Sequence, residues 1–89
     1  MTVQEIIKKR SKSAAGNFAV KEAVSKVLGT GVRGFELTDI EVLRDEMGKP
    51  YVILHNGAKD MAQKLGIRTI HVSISDTVDM AMAFAIGED

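Results

Sequence analysis

The sequence NFAVKEAVSKVLGTG, residues 17–31, predicts an α-helix that runs into a glycine loop. Its apolar residues recur at three- and four-residue steps, which is the spacing of helix faces. One face carries Val20, Ala23, Val24, Val27 and Leu28, and the other carries Ala15, Phe18 and Ala19. A helix that is apolar nearly all round is expected to lie inside the fold. The turn formed by Gly29, Thr30 and Gly31 gives the helix a left-handed stop and presents backbone N–H groups that can hold an anion.

Glu22 and Lys26 lie one helical turn apart on the second face, so an acid and a base are surrounded there by small apolar residues. The simplest interpretation is an i, i+4 salt bridge between them. The functional interpretation makes Glu22 an oxygen ligand for magnesium and Lys26 a cation for phosphate, which suits the glycine loop that follows. The residues alone leave both interpretations open.

Composition indicates a single domain, residues 1–89, in which self-association is expected because so short a chain buries only about 60 to 65% of its unfolded surface. Lysine plus arginine equal aspartate plus glutamate at 12 each, so no overall field attracts nucleic acid. The lack of cysteine excludes disulfides and thiolate zinc sites. No apolar run reaches the roughly 18 residues of a membrane span, and the expected location is the cytoplasm.

The remaining elements alternate between helix and strand patterns. Thr2 and Glu5 form a possible capping box for a short helix that ends at the basic cluster Lys8 to Lys12, which is either a solvated helix end or a docking site for an acidic partner. The β-rich runs 40–44 and 51–54 predict a hairpin. Asn56 and Gly66 bracket an amphipathic helix. Residues 69–75 and 80–86 alternate as strands, the second apolar on both faces and therefore interior. We expect an α+β fold with a mostly antiparallel sheet.

Other polar residues have plain interpretations. His71, Ser73 and Ser75 share one strand face. Residues two apart there have Cβ atoms roughly 7 Å apart, which implies no catalytic contact, so we interpret them as a polar surface. Asp45 and Glu46 are expected in the hairpin turn.

Three segments, NFAVKEAVSKVLGTG, DIEVLRDEMGKPYVILH and IHVSISDT, resemble the bacterial holo-acyl-carrier-protein synthases, the small trimeric branch of the 4′-phosphopantetheinyl transferases. The resemblance runs from about Lys9 to the end of the chain. It implies a 4′-phosphopantetheinyl transferase-like fold, with the central helix packed on the sheet, in a homotrimer. It also implies magnesium-dependent transfer of 4′-phosphopantetheine from coenzyme A to a serine of acyl carrier protein, with release of adenosine 3′,5′-bisphosphate.

The resemblance also assigns residues. It places Glu22 at the metal-binding glutamate and Lys26 at the lysine near the phosphates, so these two are the expected catalytic residues. The segments that would line the coenzyme A site, between adjacent subunits, contain Lys26, Gly29, Thr30, Gly31, Lys49, Pro50, Ser75, Asp76 and Thr77.

Family members also carry an N-terminal GIGxDI strand, whose aspartate is the second metal ligand, followed by a helix that docks the carrier protein, and this sequence contains neither. Asn17 stands where the family usually has a basic residue. The alternative function is therefore a catalytically impaired relative that keeps the fold and binding of coenzyme A or carrier protein without turnover. Nucleic-acid binding and membrane insertion are not expected.

Overall fold

The computed structural model describes residues 2–8, 12–29 and 34–89. The strands are β1 (Thr2–Lys8), β2 (Ile40–Arg44), β3 (Pro50–Leu54), β4 (Thr69–Asp76) and β5 (Met80–Glu88). The helices are α1 (Lys12–Leu28) and α2 (Asn56–Leu65), and a short 3₁₀ turn spans Leu37–Asp39. One sheet has the strand order β1-β5-β4, the other pairs β2 with β3, and every pairing is antiparallel. This confirms the expected α+β fold.

Helix α1 packs across one face of the three-stranded sheet, which we call the inner face. Its stripe of Val20, Val24, Val27 and Leu28 is almost fully buried, as are Ala23 on the same face and Ala19 on the other. The sheet meets the helix with Ala81, Ala83 and Ala85 of β5, which are fully buried. Small side chains on the central strand let the helix axis approach the sheet closely. The prediction of a central helix packed on the sheet is confirmed, but Phe18 on its second face is 46% exposed, so α1 is not buried all round.

Strand β5 is the central strand, as its apolar character on both faces predicts, but its two faces differ in exposure. The small alanines face α1, and the bulky residues point to the opposite side. Met80 and Ile86 are each 43% exposed, and Ile6 of β1, paired with Met82, is also 43% exposed. We call this surface the outer face. Its apolar residues are Ile6, Met80, Met82, Phe84 and Ile86, and the strand register places the polar residues Thr2, Gln4, His71, Ser73 and Ser75 on the same face.

The prediction of a short helix starting at Thr2 is wrong, because residues 2–8 form strand β1. Strand β1 pairs with β5 from Thr2 opposite Ile86 to Lys8 opposite Met80. An isolated helix of about one or two turns is marginal in water. Pairing instead satisfies the backbone groups along one edge of a central strand. Lys9, Arg10 and Ser11 lie outside the described residues, so the expectation for the basic cluster is not tested there.

The hairpin, the second helix and β4 follow the predicted pattern closely. Asp45 Oδ1 accepts hydrogen bonds from the backbone N–H groups of Met47 and Lys49, each at 2.9 Å, which confirms Asp45 as a turn residue. Gly66 closes α2 in the left-handed region at φ 73°. Asn56 as the cap of α2 is wrong by one residue, since His55 is the N-cap. The Asn56 amide donates instead to Asp39 Oδ1 at 3.3 Å.

Within the described ranges, neither helix is long and apolar enough to cross a membrane.

Candidate functional site

A carboxylate of β1 lies against the basic residue of α1. Glu5 is opposite Ala83 in the register of β1 and β5, so its side chain points to the inner face, where α1 packs. Lys26 Nζ donates a hydrogen bond to Glu5 Oε2. The Glu5 side chain is only 18% exposed, whereas that of Lys26 is 47% exposed and reaches solvent. Sequence reasoning missed Glu5 because it placed this residue in a helix cap.

Glu22 belongs to the same cluster through its position one turn before Lys26. The hydrogen bond to Glu5 raises the pKa of Lys26, burial opposes this, and the charges of Glu5 and Glu22 raise it further. In the described part of the chain the ion pair of Lys26 is made with Glu5, and Glu22 acts on it through charge alone. The interpretation of Glu22 and Lys26 as a simple i, i+4 salt bridge is therefore wrong. The two carboxylates outweigh the one ammonium, so the three side chains together carry a net negative charge.

The chemistry of this cluster fits a hard divalent cation. Glu5 and Glu22 offer carboxylate oxygens, and the Lys26 ammonium marks a place where positive charge is favoured. No three His, Asp or Glu side chains are arranged for a metal ion within residues 2–8, 12–29 and 34–89. A cation held here would therefore depend on two carboxylates and on water or phosphate oxygens. Magnesium is commonly held in that way, by one or two carboxylates plus waters and substrate phosphates.

The second group of expected site residues lies at the hairpin. Pro50 begins β3. In the turn before it, the Asp45 N–H donates to the Lys49 carbonyl, and the Lys49 N–H donates to the Asp45 carboxylate. A groove of about 410 Å³ separates this end of the hairpin from the edge of β4, where His71 and Ser73 line it. Phe84 and Ile86 of the outer face form part of the same groove. Lys49 and Pro50 therefore adjoin the outer face at an open depression.

The remaining expected residues lie at the ends of elements. Ser75 and Asp76 close β4, and the Thr77 N–H donates to the Met80 carbonyl at 2.8 Å in the turn to β5. Gly29 follows α1 with φ at 132°, a conformation that favours glycine and agrees with its expected role as a stop. Thr30 and Gly31 lie outside the described residues, so the glycine-loop anion site is not tested.

The two groups lie at opposite edges of the three-stranded sheet. Glu5 is on β1, the hairpin lies beside β4, and β5 runs between those two strands. Neighbouring strands are about 4.8 Å apart, so β1 and β4 are about 10 Å apart. Within residues 2–8, 12–29 and 34–89, no hydrogen bond or ion pair joins the cluster of Glu5, Glu22 and Lys26 to Lys49 or Pro50.

A cationic side chain of β2 lies beside Asn17 of α1. Asn17 stands where the resembling family usually has a basic side chain, and its Oδ1 accepts a hydrogen bond from Arg44 Nη2 at 3.0 Å. Asn17 also lines a groove of about 490 Å³ with Lys21 and Thr38. The guanidinium of β2 therefore places positive charge at this position of α1.

Replacing Glu5 with glutamine is expected to lower the pKa of Lys26, because the hydrogen bond to the charged carboxylate is the largest cause of its elevation. Glu22→Gln should lower it less, since Glu22 contributes only a longer-range charge. The ¹³Cε shift of labelled lysine, titrated by NMR through the alkaline range, measures both changes. Lys64 serves as the internal reference. A Lys26 titration curve that stays in place in Glu5→Gln would show that the pair does not form in solution.

Comparison with known proteins gives one consistent family. Residues 3–84 match the family described as the 4′-phosphopantetheinyl transferase superfamily. The holo-[acyl-carrier-protein] synthase of Clostridium perfringens is 54% identical over 82 residues, which cover 88% of this chain and 62% of that protein. The corresponding protein of Lachnoclostridium phytofermentans is 47% identical over 85 residues, covering 96% of this chain and 70% of the relative. The chain thus spans about three fifths of the length of the first of these curated relatives.

The fold is also found among solved structures. The holo-[acyl-carrier-protein] synthase of Helicobacter pylori, solved in complex with coenzyme A, superposes with a TM-score of 0.84 at 22% sequence identity. The superposition covers 99% of this chain and 100% of the other. At that identity the likeness supports the fold, and the closer curated relatives support the family.

Proposed function

Because the chain belongs to the 4′-phosphopantetheinyl transferase superfamily, we propose that it transfers 4′-phosphopantetheine from coenzyme A to a serine of acyl carrier protein in the cytoplasm. The observation that carries this proposal is the cluster in which Lys26 bonds to the carboxylate of Glu5 and is influenced by the charge of Glu22. Phosphoryl transfer needs positive charge held beside the phosphates, and such a cluster can hold both a cation and an ammonium there. The named relatives are synthases of the same class.

The reaction assigns a role to each residue of the cluster. The serine oxygen of the carrier bonds to the phosphorus that bears the pantetheine arm, and adenosine 3′,5′-bisphosphate leaves with the bridging oxygen. Magnesium, when bound by Glu5 and Glu22, would supply charge stabilisation at the pyrophosphate. Lys26 pairs with Glu5 before substrate binds and then neutralises the departing phosphate. Glu22 or a water beside it accepts the serine proton.

The complete site, on this proposal, forms between adjacent copies of the chain in a homotrimer. The coenzyme A site would combine the cluster of one copy with Lys49, Pro50 and the end of β4, residues 75–77, of the next. The support is the separation of these two groups within one chain, together with the exposed outer face beside the hairpin groove. A sheet face with five apolar side chains is unusual on a monomer, and association would cover it.

A charge on the outer face should dissociate the assembly. Ile86→Glu is expected to convert the homotrimer to monomer at micromolar concentration, because a carboxylate in a closed apolar interface must give up its hydration. Sedimentation velocity measures the change. Val78→Glu is the matched control, since Val78 is 91% exposed in the turn before β5 and lies off the outer face. Equal sedimentation of both variants and the parent chain would contradict the proposed interface.

The proposed activity is tested by the mass of apo acyl carrier protein after incubation with this chain, coenzyme A and magnesium. Transfer adds the phosphopantetheine group and shifts the mass of the carrier. The shift should require magnesium and stop when a chelator is added. An unchanged carrier mass, under conditions where calorimetry shows coenzyme A bound to the folded chain, would contradict transfer.

A further inference from the structure

A groove that shares no lining residue with the cluster of Glu5, Glu22 and Lys26 lies between α2, β3 and β4. We call it the α2 groove. Its volume is about 420 Å³, within the range of small-molecule sites. Its apolar lining consists of Val52, Leu54, Ala62, Ile67 and Ile70. Ala62 is buried and the other four are half-buried, so each of those four keeps apolar surface that the fold leaves partly uncovered.

The charges around the α2 groove have one sign. Lys59 of α2 and Arg68, in the loop before β4, both line it, and none of its lining residues is acidic. Within the described ranges, neither Lys59 nor Arg68 has a carboxylate oxygen within 4.0 Å of its side-chain nitrogens. Two unpaired cations therefore border an apolar trough.

The backbone beneath these cations is fixed. The Arg68 N–H donates to the Glu88 carbonyl at 2.8 Å, which ties the loop to the end of β5. The Ile67 N–H donates to the Ala62 carbonyl at 2.9 Å and closes the last turn of α2. The groove thus stands on ordered backbone, and its two cations project from a helix and a pinned loop.

We propose that the α2 groove binds a medium-chain fatty carboxylate, with the aliphatic chain on the apolar lining and the carboxylate between Lys59 and Arg68. Charge complementarity selects an anionic head, and the apolar lining selects a hydrocarbon tail. A protein partner is disfavoured by size, because a stable interface covers about 800 Å² on each side and this groove offers a few half-buried side chains. The site is independent of phosphopantetheine transfer.

Isothermal titration of the chain with decanoate, kept below its micelle concentration, tests the proposal. Decanoate has about 12 heavy atoms, so a dissociation constant on the order of 10⁻⁴ M is expected. Octanoate, which is two methylenes shorter, should bind about fifteenfold more weakly, since each buried methylene contributes about fourfold. Decyltrimethylammonium, with a comparable tail and a cationic head, should bind at least about tenfold more weakly than decanoate.

Charge-reversal variants identify the site. Arg68→Glu and Lys59→Glu should each weaken decanoate binding about tenfold or more, whereas Lys64→Glu should change it less than about twofold. Lys64 is the matched control because it lies exposed on the same helix and does not line the groove. Circular dichroism confirms that each variant is folded, and Glu22→Gln should bind decanoate like the parent chain. Equal effects of Arg68→Glu and Lys64→Glu, equal binding of the cationic amphiphile, or no decanoate binding at millimolar concentration would each overturn the proposal.

Discussion

Alanine in place of Gly57 is expected to destabilise the fold by roughly 3 kcal/mol or more, at the upper end of the range for overpacked interiors. Gly57 lies in the first turn of α2, where an added methyl group would lie 1.6 Å from the Gly34 carbonyl oxygen and 3.0 Å from Phe35 Cα. Both are backbone atoms, so no side-chain rotation can relieve the overlap. Phe35 is itself buried, and moving this segment would disturb the core.

Thermal unfolding measures this loss, which for a chain of this size corresponds to a lowering of Tm by about 15 °C. Gly16→Ala is the matched control, because Gly16 lies inside α1 and its added methyl group would meet Ile74 Cγ2 at an ordinary 3.4 Å. That variant should be neutral or stabilised by about 0.5 kcal/mol, since glycine weakens a helix interior. Equal Tm values for the two variants would show that α2 does not approach residues 34 and 35 so closely.

The second large effect is expected on transfer. Glu22→Gln should slow the conversion of acyl carrier protein by about 10²-fold or more, because an amide lacks the charge that holds a cation at the pyrophosphate. In calorimetry with coenzyme A, the same variant should lose the magnesium dependence of binding. Lys26→Ala should weaken binding with or without magnesium, since its ammonium would contact phosphate directly.

Glu46→Gln supplies the matched control for Glu22→Gln, because it removes the same charge from an exposed residue of the hairpin turn. Its rate should equal that of the parent chain. A Glu22→Gln chain that turns over at the parent rate would mean that Glu22 holds no catalytic cation. The cluster would then be a structural contact between α1 and β1.

Most of the fold could be predicted because its signals are local. The periodicity of α1, the turn residues between β2 and β3 and the strict alternation of β4 each specify one structure over a short window. Strand β1 could not be predicted in this way. Its Thr2 and Glu5 also satisfy a helix-capping pattern, and pairing with β5 decides the outcome across more than seventy residues of sequence.

The candidate site shows the same limit. Glu22 and Lys26 could be singled out because they are neighbours on one helix. Glu5 could not, because its contact with Lys26 spans 21 residues and exists only after β1 joins the sheet. The separation of Lys49 and Pro50 from that cluster is likewise a property of strand order, which no local pattern encodes. The sequence could therefore single out individual candidate residues, but it could not predict which of them the fold brings together.

The three buried alanines of β5 set the gap between α1 and the sheet, and Ala83 lies directly opposite Glu5. The methyl groups of these alanines, which carry no charge, therefore set the distance between Lys26 on α1 and Glu5 on β1. A valine at Ala83 would thicken this layer and lift the helix with its cation away from the carboxylate. The strength of the ion pair between Lys26 and Glu5 thus depends on the thickness of the alanine layer between α1 and the sheet. A mutation of an uncharged residue in that layer can therefore change the electrostatics of the cluster.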